Sequence, residues 1–283
     1  MYKRKCLLTY ISIFCLAIIS SQVFAFGADG HRAVTKIAEN HLSEKTATAI
    51  RAITNNADLS ELSLWPDQIR GIPKWKKSKY WHYMNIADHE SLETAKRSSK
   101  GDVLSALNHY YKQLNDSRLP DSERRQALSF FIHFAADIHQ PLHVGRRDDR
   151  GGNSIAVKWP KKSRQKNLHW VWDSGLINSS KLSIEDYAEK LDSANKQQIH
   201  RWQQDSFLDW AVESKMLRTQ VYEFGLKIPA EKLAKKPLSI SQDYINRNKP
   251  IVEKRLLMAG IRIAGQLNKI FDPLHNDPLS ADK

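Results

Sequence analysis

The chain has 283 residues, 41% of them hydrophobic, enough to bury a core in one large or two small domains. It carries 44 Lys and Arg against 31 Asp and Glu, a formal charge of +13 that suits a polyanionic partner. Only two cysteines are present, Cys6 and Cys15, so thiolate zinc fingers and disulfide scaffolds are excluded.

Residues 1–25 read as a secretory leader. Lys3-Arg4-Lys5 precedes an apolar run from Leu7 to Ile19, and Val23-Phe24-Ala25 offers a small-residue cleavage site. Cleavage between Ala25 and Phe26 would remove both cysteines and leave a secreted or periplasmic chain with a charge of about +10. The apolar run is too short for a membrane span and nothing downstream approaches ~20 apolar residues, so no stable membrane association is expected. No obligate protein partner is evident either.

After the leader, Val34, Ile37, Ala38, His41 and Leu42 are spaced as one face of a first helix, with His31 at its start, and Ser43 caps a second running to Ala57. Leu64 to Arg70 reads as a short helix opened by Pro66, placing Asp67 and Arg70 one turn apart. Tyr80 to Asn85 is aromatic and extended in character, whereas Asp102 to Leu114 and Asp121 to Gln140 have helical period, the latter opened by a region resembling a capping box at Asp121. Ser154 to Val171 suggests a small hairpin leading into a helix, and Ile184 to Ile270 suggests three helical stretches punctuated by Pro229, Pro237 and Pro250. The tail from Asp272 reads as frayed. With no repeat, low-complexity segment or linker, the expected fold is mostly α, one multi-helix domain over 26–283 with one small β-hairpin.

The chemistry concentrates between His133 and His143. His133 and Asp137 stand four apart, on one helix face, and Pro141 hands His143 to the following loop. The i, i+4 pairing recurs as His169 and Asp173, with His31, Asp67 and His82 upstream. An isolated His on an apolar helix is more often a packed core residue, but a series of seven imidazoles and carboxylates favours a nitrogen and oxygen metal site suited to catalytic zinc. His41, His89, His109, His139, His200 and His275 are assigned to structure or surface. Basic runs interleaved with tryptophan, Lys74 to Lys79 and Lys158 to Arg164, combine phosphate attraction with stacking surfaces, as single-stranded nucleic acid binding requires, although such runs are also found on merely solvated faces.

The ordered series His31, Leu-Trp-Pro-Asp67, Trp-His82-Tyr, His133-xxx-Asp137-xxxxx-His143, Gly151-Gly152-Asn153 and Asn-Leu-His169-xxx-Asp173 resembles the secreted trinuclear-zinc single-strand nucleases and 3′-nucleotidases of the mung-bean-nuclease type, over nearly the whole mature chain. The resemblance implies the helical fold shared with zinc-dependent phospholipase C. It also implies three zinc ions: one held by Asp67, His82, His133 and Asp137, a second by His143, His169 and Asp173, and a third by His31, Asp137 and the free amine and carbonyl of Phe26. Two departures stand out, Phe26 where the family has Trp and Asn85 where fungal members have Asp. The implied substrates are single-stranded DNA, RNA and 3′-nucleotides. A zinc-bridging hydroxide would be the nucleophile, Arg70 would bind the phosphoryl group, and Tyr83, Asn85 and Asn153 would meet the base. The alternatives are a phospholipase C, disfavoured by Asp173 and the basic charge, or a non-catalytic exported protein that binds zinc or nucleic acid.

Overall fold

The computed structural model describes residues 26–160, 164–225 and 237–275. The leader, Lys161 to Ser163 of the second basic run, Pro229 and most of the tail lie outside them.

The chain is organised around α6 (Asp121–Asp137), whose second half is buried on every side from Ala127 to Asp137. Such a helix has no solvent face and must be wrapped. Around it lie α1 (Ala28–Asn40), α2 (Glu44–Thr54), the short α3 (Leu59–Leu62) and α4 (Trp65–Ile69), and α5 (Val103–Asn115). The C-terminal half adds α7 (Leu168–Trp170), α8 (Leu176–Asn178), α9 (Ile184–Leu191), α10 (Lys196–Gln204), α11 (Phe207–Met216), α12 (Arg218–Val221) and the long α13 (Gln242–Phe271). Local capping agrees with this layout. The Ser43 hydroxyl accepts from the Thr46 amide at 3.1 Å to open α2, and Asn55, at φ 54°, closes it in the left-handed region. Asp102 and Ser105 form a reciprocal capping box on α5.

Several expectations need correction. α6 starts after Pro120 with no side-chain cap, so Asp121 opens no capping box; it sits in the first turn, where its charge favours the helix dipole. α6 also stops at Asp137, because Gln140 precedes Pro141 in an extended conformation that a following proline imposes. Tyr80 to Asn85 forms no strand. It leaves a 3₁₀ turn at Ser78–Tyr80, and Met84 and Ile86 then donate to the carbonyls of His143 and Gly145 at 2.7 and 3.0 Å. The hairpin is present as β1 (Ala156–Lys158) antiparallel to β2 (Lys166–Asn167), but β3 (Leu238–Ser239) adds a parallel strand on the other edge of β1. A two-residue strand paired to a partner some 80 residues away leaves no periodicity to read.

Between Ile184 and Ile270 the chain forms five helices among the described residues rather than three, and Pro250 punctuates nothing: it lies inside α13. A mid-helix proline costs ~3 kcal/mol, and here the near-continuous burial from Arg255 to Asn268 outweighs it. α13 and α1 approach closely at Gly260, where a β-carbon would stand 2.6 Å from Ile37 Cγ2 and 2.9 Å from the Val34 carbonyl. Gly260→Ala should therefore lower the unfolding free energy by about 1–3 kcal/mol, by overpacking, despite its better helix propensity. A midpoint in chemical denaturation equal to or above the parent would contradict this contact.

Candidate metal centre

Three buried groups of His and Asp meet at the C-terminal end of α6: His31, His133 and Asp137; Asp67, His82 and His133; and His143, His169 and Asp173. Within each group one donor atom from every residue lies within 4.8 Å of the others, so each could hold a metal ion. α1 delivers His31 in its first turns, α4 delivers Asp67, and α6 delivers His133 and Asp137 one turn apart. His143 follows on the 3₁₀ turn Pro141–Val144, and His82 comes from the irregular segment beside it. His169 lies on α7, while Asp173 lies on a π-helical turn, Val171–Gly175, that widens the helix between them.

The imidazoles are pre-oriented. His133 Nδ1 donates to the Ser63 carbonyl at 2.7 Å, His143 Nδ1 to the His82 carbonyl at 2.5 Å, and His169 Nδ1 to the Gly151 carbonyl at 2.6 Å. Each bond fixes the tautomer that the neutral ring takes and turns Nε2 toward the cluster, so that loss of the Nε2 proton exposes its lone pair there, as metal-ligating histidines require. His133 Nε2 then lies 2.9 Å from His82 Nδ1 and 3.3 Å from Asp137 Oδ2, His82 Nδ1 lies 3.1 Å from Asp137 Oδ2, and His31 Nε2 lies 3.4 Å from Asp137 Oδ1. In the other group His169 Nε2 lies 3.3 Å and His143 Nε2 3.7 Å from Asp173. Two donors bound ~2 Å from one tetrahedral ion stand ~3.3 Å apart, so these spacings fit shared cations.

Polar atoms without partners make the same point. Both ring nitrogens of His31, His82 Nε2, Asp137 Oδ1 and His143 Nε2 are buried with no hydrogen-bond partner. Neither Asp67 oxygen is in an aligned hydrogen bond, although the Arg70 guanidinium stands 3.1 Å from Oδ1 as an ion-pair neighbour. Burying so many unsatisfied groups is unfavourable unless cations complete them. The donor set, nitrogen and oxygen with no thiolate, fits zinc.

Residues that had drawn no assignment also take part. Gln140 is fully buried and donates through Nε2 to Asp173 Oδ1 at 2.6 Å. Arg218, buried on α12, donates to the carbonyls of Ile86 and Gly145 at 3.0 Å and of Val144 at 3.3 Å, and pairs with Asp88 at 3.0 Å. It ties the His82 segment to the His143 segment. Neither could be found from spacing, since each acts by reaching distant backbone or side-chain groups. His139 faces away from the cluster: it donates to the Ala135 carbonyl at 2.7 Å and meets Arg262 at 3.0 Å. Phe26 is fully buried, and the neighbouring Gly27 amide donates to the Asp173 carbonyl at 2.7 Å, which sets the start of α1 against the π turn.

One side of the cluster opens to a cleft of about 240 Å³ lined by His82, His143 and His169 with Arg70, Lys79, Tyr83, Asn85, Arg150 and Asn153. Tyr83 is exposed, Asn85 and Asn153 are half-buried, and the Asn153 amide is held by the Arg150 carbonyl at 3.0 Å. The polar candidates thus gather at one mouth.

Electrostatics in the metal-free site are set by the carboxylates. Burial alone would depress the His143 imidazolium, but Asp137 and Asp173 override it and lift the pKa to about 9. His133 is likewise raised, by Asp137 and Asp67 against its burial, whereas burial wins at His31, His82 and His169. Asp137, which burial alone would push up, is held well below the usual carboxylate range by His133 and His143. His143 holds a proton at neutral pH that a metal must displace, and the neighbouring carboxylates make His133 hold its proton more firmly than a free imidazole does. Zinc added to the metal-free protein at pH 7 should release protons, with apparent affinity rising as pH climbs toward about 9. Calorimetry in buffers of differing ionisation enthalpy reads this directly, and a buffer-independent heat would refute it.

The chain matches the sequence profile described as S1/P1 nuclease over residues 26–272. It is 31% identical to Endonuclease 2 of Arabidopsis thaliana, over 90% of this chain and 94% of that protein. It is 30% identical to Endonuclease 3 of the same plant, over 92% and 94%, and 26% identical to Nuclease S1 of Aspergillus oryzae, over 89% and 94%.

Proposed function

The chain belongs to the S1/P1 nuclease family, and from that premise we propose that it is a zinc-dependent phosphodiesterase that hydrolyses single-stranded DNA and RNA to 5′-nucleotides, with 3′-nucleotidase activity. The observation that carries this reading is the open cleft above a buried cluster of orphaned His and Asp atoms. A purely structural metal site is closed, whereas this one has an aqueous side lined with cations. Three zincs are expected: one on Asp67, His82, His133 and Asp137, one on His143, His169 and Asp173, and one on His31, Asp137 and the Phe26 main chain. Bound zinc would supply a water acidified to a pKa near ~7 and would neutralise phosphate oxygens.

The remaining work falls to the protein. Asp67, Asp137 and Asp173 provide the negative charge that retains divalent cations, and the histidine Nδ1 bonds keep each Nε2 aimed inward. Arg70 projects from the end of α4 into the cleft and can donate to phosphoryl oxygens as charge builds on them. Its ion pair with Asp67 keeps the guanidinium in place. Tyr83 offers an exposed ring for a nucleobase, and Asn153 and Asn85 offer amides for its edge, which a stacked duplex would hide. The test is digestion of single-stranded DNA, RNA, a 3′-nucleotide and a short-chain phospholipid in parallel, with and without chelator, by parent and Arg70→Ala protein. Nucleic acids should be cut and chelator should stop it; Arg70→Ala should lose about 10²–10³ in kcat with zinc content unchanged. Turnover of the phospholipid alone would overturn the reading.

The Phe26 ligand requires export and cleavage after Ala25. An α-amino group with pKa near ~8 gives up its proton to a metal, but the amide joining Ala25 to Phe26 has no lone pair to offer. The match to the family beginning at residue 26 and the seat of Gly27 against Asp173 support this placement. A cytoplasmic form with a Met retained before Phe26 moves the amine by ~3.8 Å and should bind one zinc fewer. Three zincs and full activity in that form, its extra residue verified by mass, would remove Phe26 from the site.

A further inference from the structure

A second cleft, of about 170 Å³, adjoins the first across the side chains of Tyr83 and Asn85, which line both. Its other walls come from Tyr80, Lys96, Arg97, Ser98, Asp102 and Arg147. Two of its cations are matched: Arg97 pairs with Asp102 at 2.6 Å, and Arg147 pairs with Glu90 at 3.0 Å. Those carboxylates are committed further, Asp102 to the Ser105 amide at the head of α5 and Glu90 to the Ala87 amide. Lys96 enters no ion pair among the described residues, and it is exposed. Lys79 and Lys100 are gathered by one aromatic ring, their ammonium groups 4.9 and 4.6 Å from the centre of Tyr80, with Lys100 also 3.3 Å from the Tyr80 hydroxyl. Of these lysines Lys96 lines the cleft itself, Lys79 lines the adjoining one, and Lys100 stands beside it against the Tyr80 ring that forms one of its walls, so the pair of clefts carries a surplus of positive charge.

Scattered lysines on a basic protein are ordinarily just solvated. Here Lys96 lines, and Lys79 and Lys100 flank through the Tyr80 ring, a concavity that shares a wall with the cleft over the metal cluster, and the basic run from Lys74 leads to it. A small anion would fill one cleft or the other. A chain crossing the Tyr83 ring fills both with successive nucleotides, one phosphate among Arg70 and the histidines and the next near Lys96 and Lys100. We propose that this cleft is a second subsite for the neighbouring nucleotide of a single-stranded polynucleotide, so that oligonucleotides are held more tightly than 3′-mononucleotides. The inference rests on the nuclease reading, and the two fail differently.

The experiment compares an octathymidylate with a 3′-mononucleotide as substrates for the parent and for a Lys96→Glu/Lys100→Glu variant. A Lys112→Glu/Lys196→Glu variant, with the same net charge and both changes at exposed positions away from the cleft, is the control. Reversing the two cleft charges should raise KM for the oligonucleotide about tenfold or more and flatten the salt dependence by about 0.7 per lost phosphate contact. Kinetics on the mononucleotide should be unchanged, and the control variant should resemble the parent. Anisotropy of a labelled phosphorothioate octathymidylate gives the same comparison without turnover, so a protein that proves inactive still shows whether the subsite binds. Equal KM shifts on both substrates, or equal shifts in cleft and control variants, would overturn the second subsite. Melting temperatures close to the parent establish that the variants are folded.

Discussion

The constraint on which the rest depends is the burial of Asp67, Asp137 and Asp173 among histidines with almost no protein cation to balance them. A carboxylate taken out of water without a partner is penalised by several kcal/mol, far more than a single packing contact returns. The carboxylates answer by lifting the pKa of the His143 imidazolium to about 9 and raising that of His133, and cations in the three groups would answer better. Metal binding and folding would then be a single equilibrium, since α1, α4, α6 and the π turn each contribute a candidate ligand and no described part of the chain offers a disulfide to hold them otherwise.

The grouping of these His and Asp residues was legible because helical spacing converts directly into geometry. His133 and Asp137 fall on one face of α6, and His31, Asp67 and His82 join them, as the order of motifs along the chain implied. The grouping differs in one respect, since His133 stands beside His31, their rings stacked at 4.0 Å, as well as beside Asp67 and His82. What stayed hidden acts across long sequence distances. Gln140, Arg218 and β3 matter through groups 33, 132 and about 80 positions away, and no local pattern records such reach. Pro250 misled for a related reason: its local preference is real, but the buried length of α13 overrules it.

A second ionic cluster braces the back of the site. Arg262, fully buried on α13, pairs with Glu213 and Asp205 and meets His139, while Arg255 donates to the His139 carbonyl at 3.0 Å. Burial depresses the His139 imidazolium well below its usual value, and the two guanidinium groups reinforce that, so it is a neutral acceptor. Here the charges are balanced internally, in contrast to the ligand groups. The chain thus holds two buried polar networks near the end of α6, one closed upon itself and one whose balance waits on cations.

The bond from the Gly27 amide to the Asp173 carbonyl carries a consequence for the order of folding. It joins the first described helix to a turn about 150 residues later, and contacts of that separation form late because the intervening loop must be closed first. α5 and α6, neighbours in sequence and in space, can pair long before it. The ligand face of α6 is then in place while its N-terminal wall is still missing, so a metal arriving during folding would meet a half-built, water-filled socket. Docking of the N-terminal segment against Asp173 closes that socket, so a late step of folding would also set how firmly ions are held there.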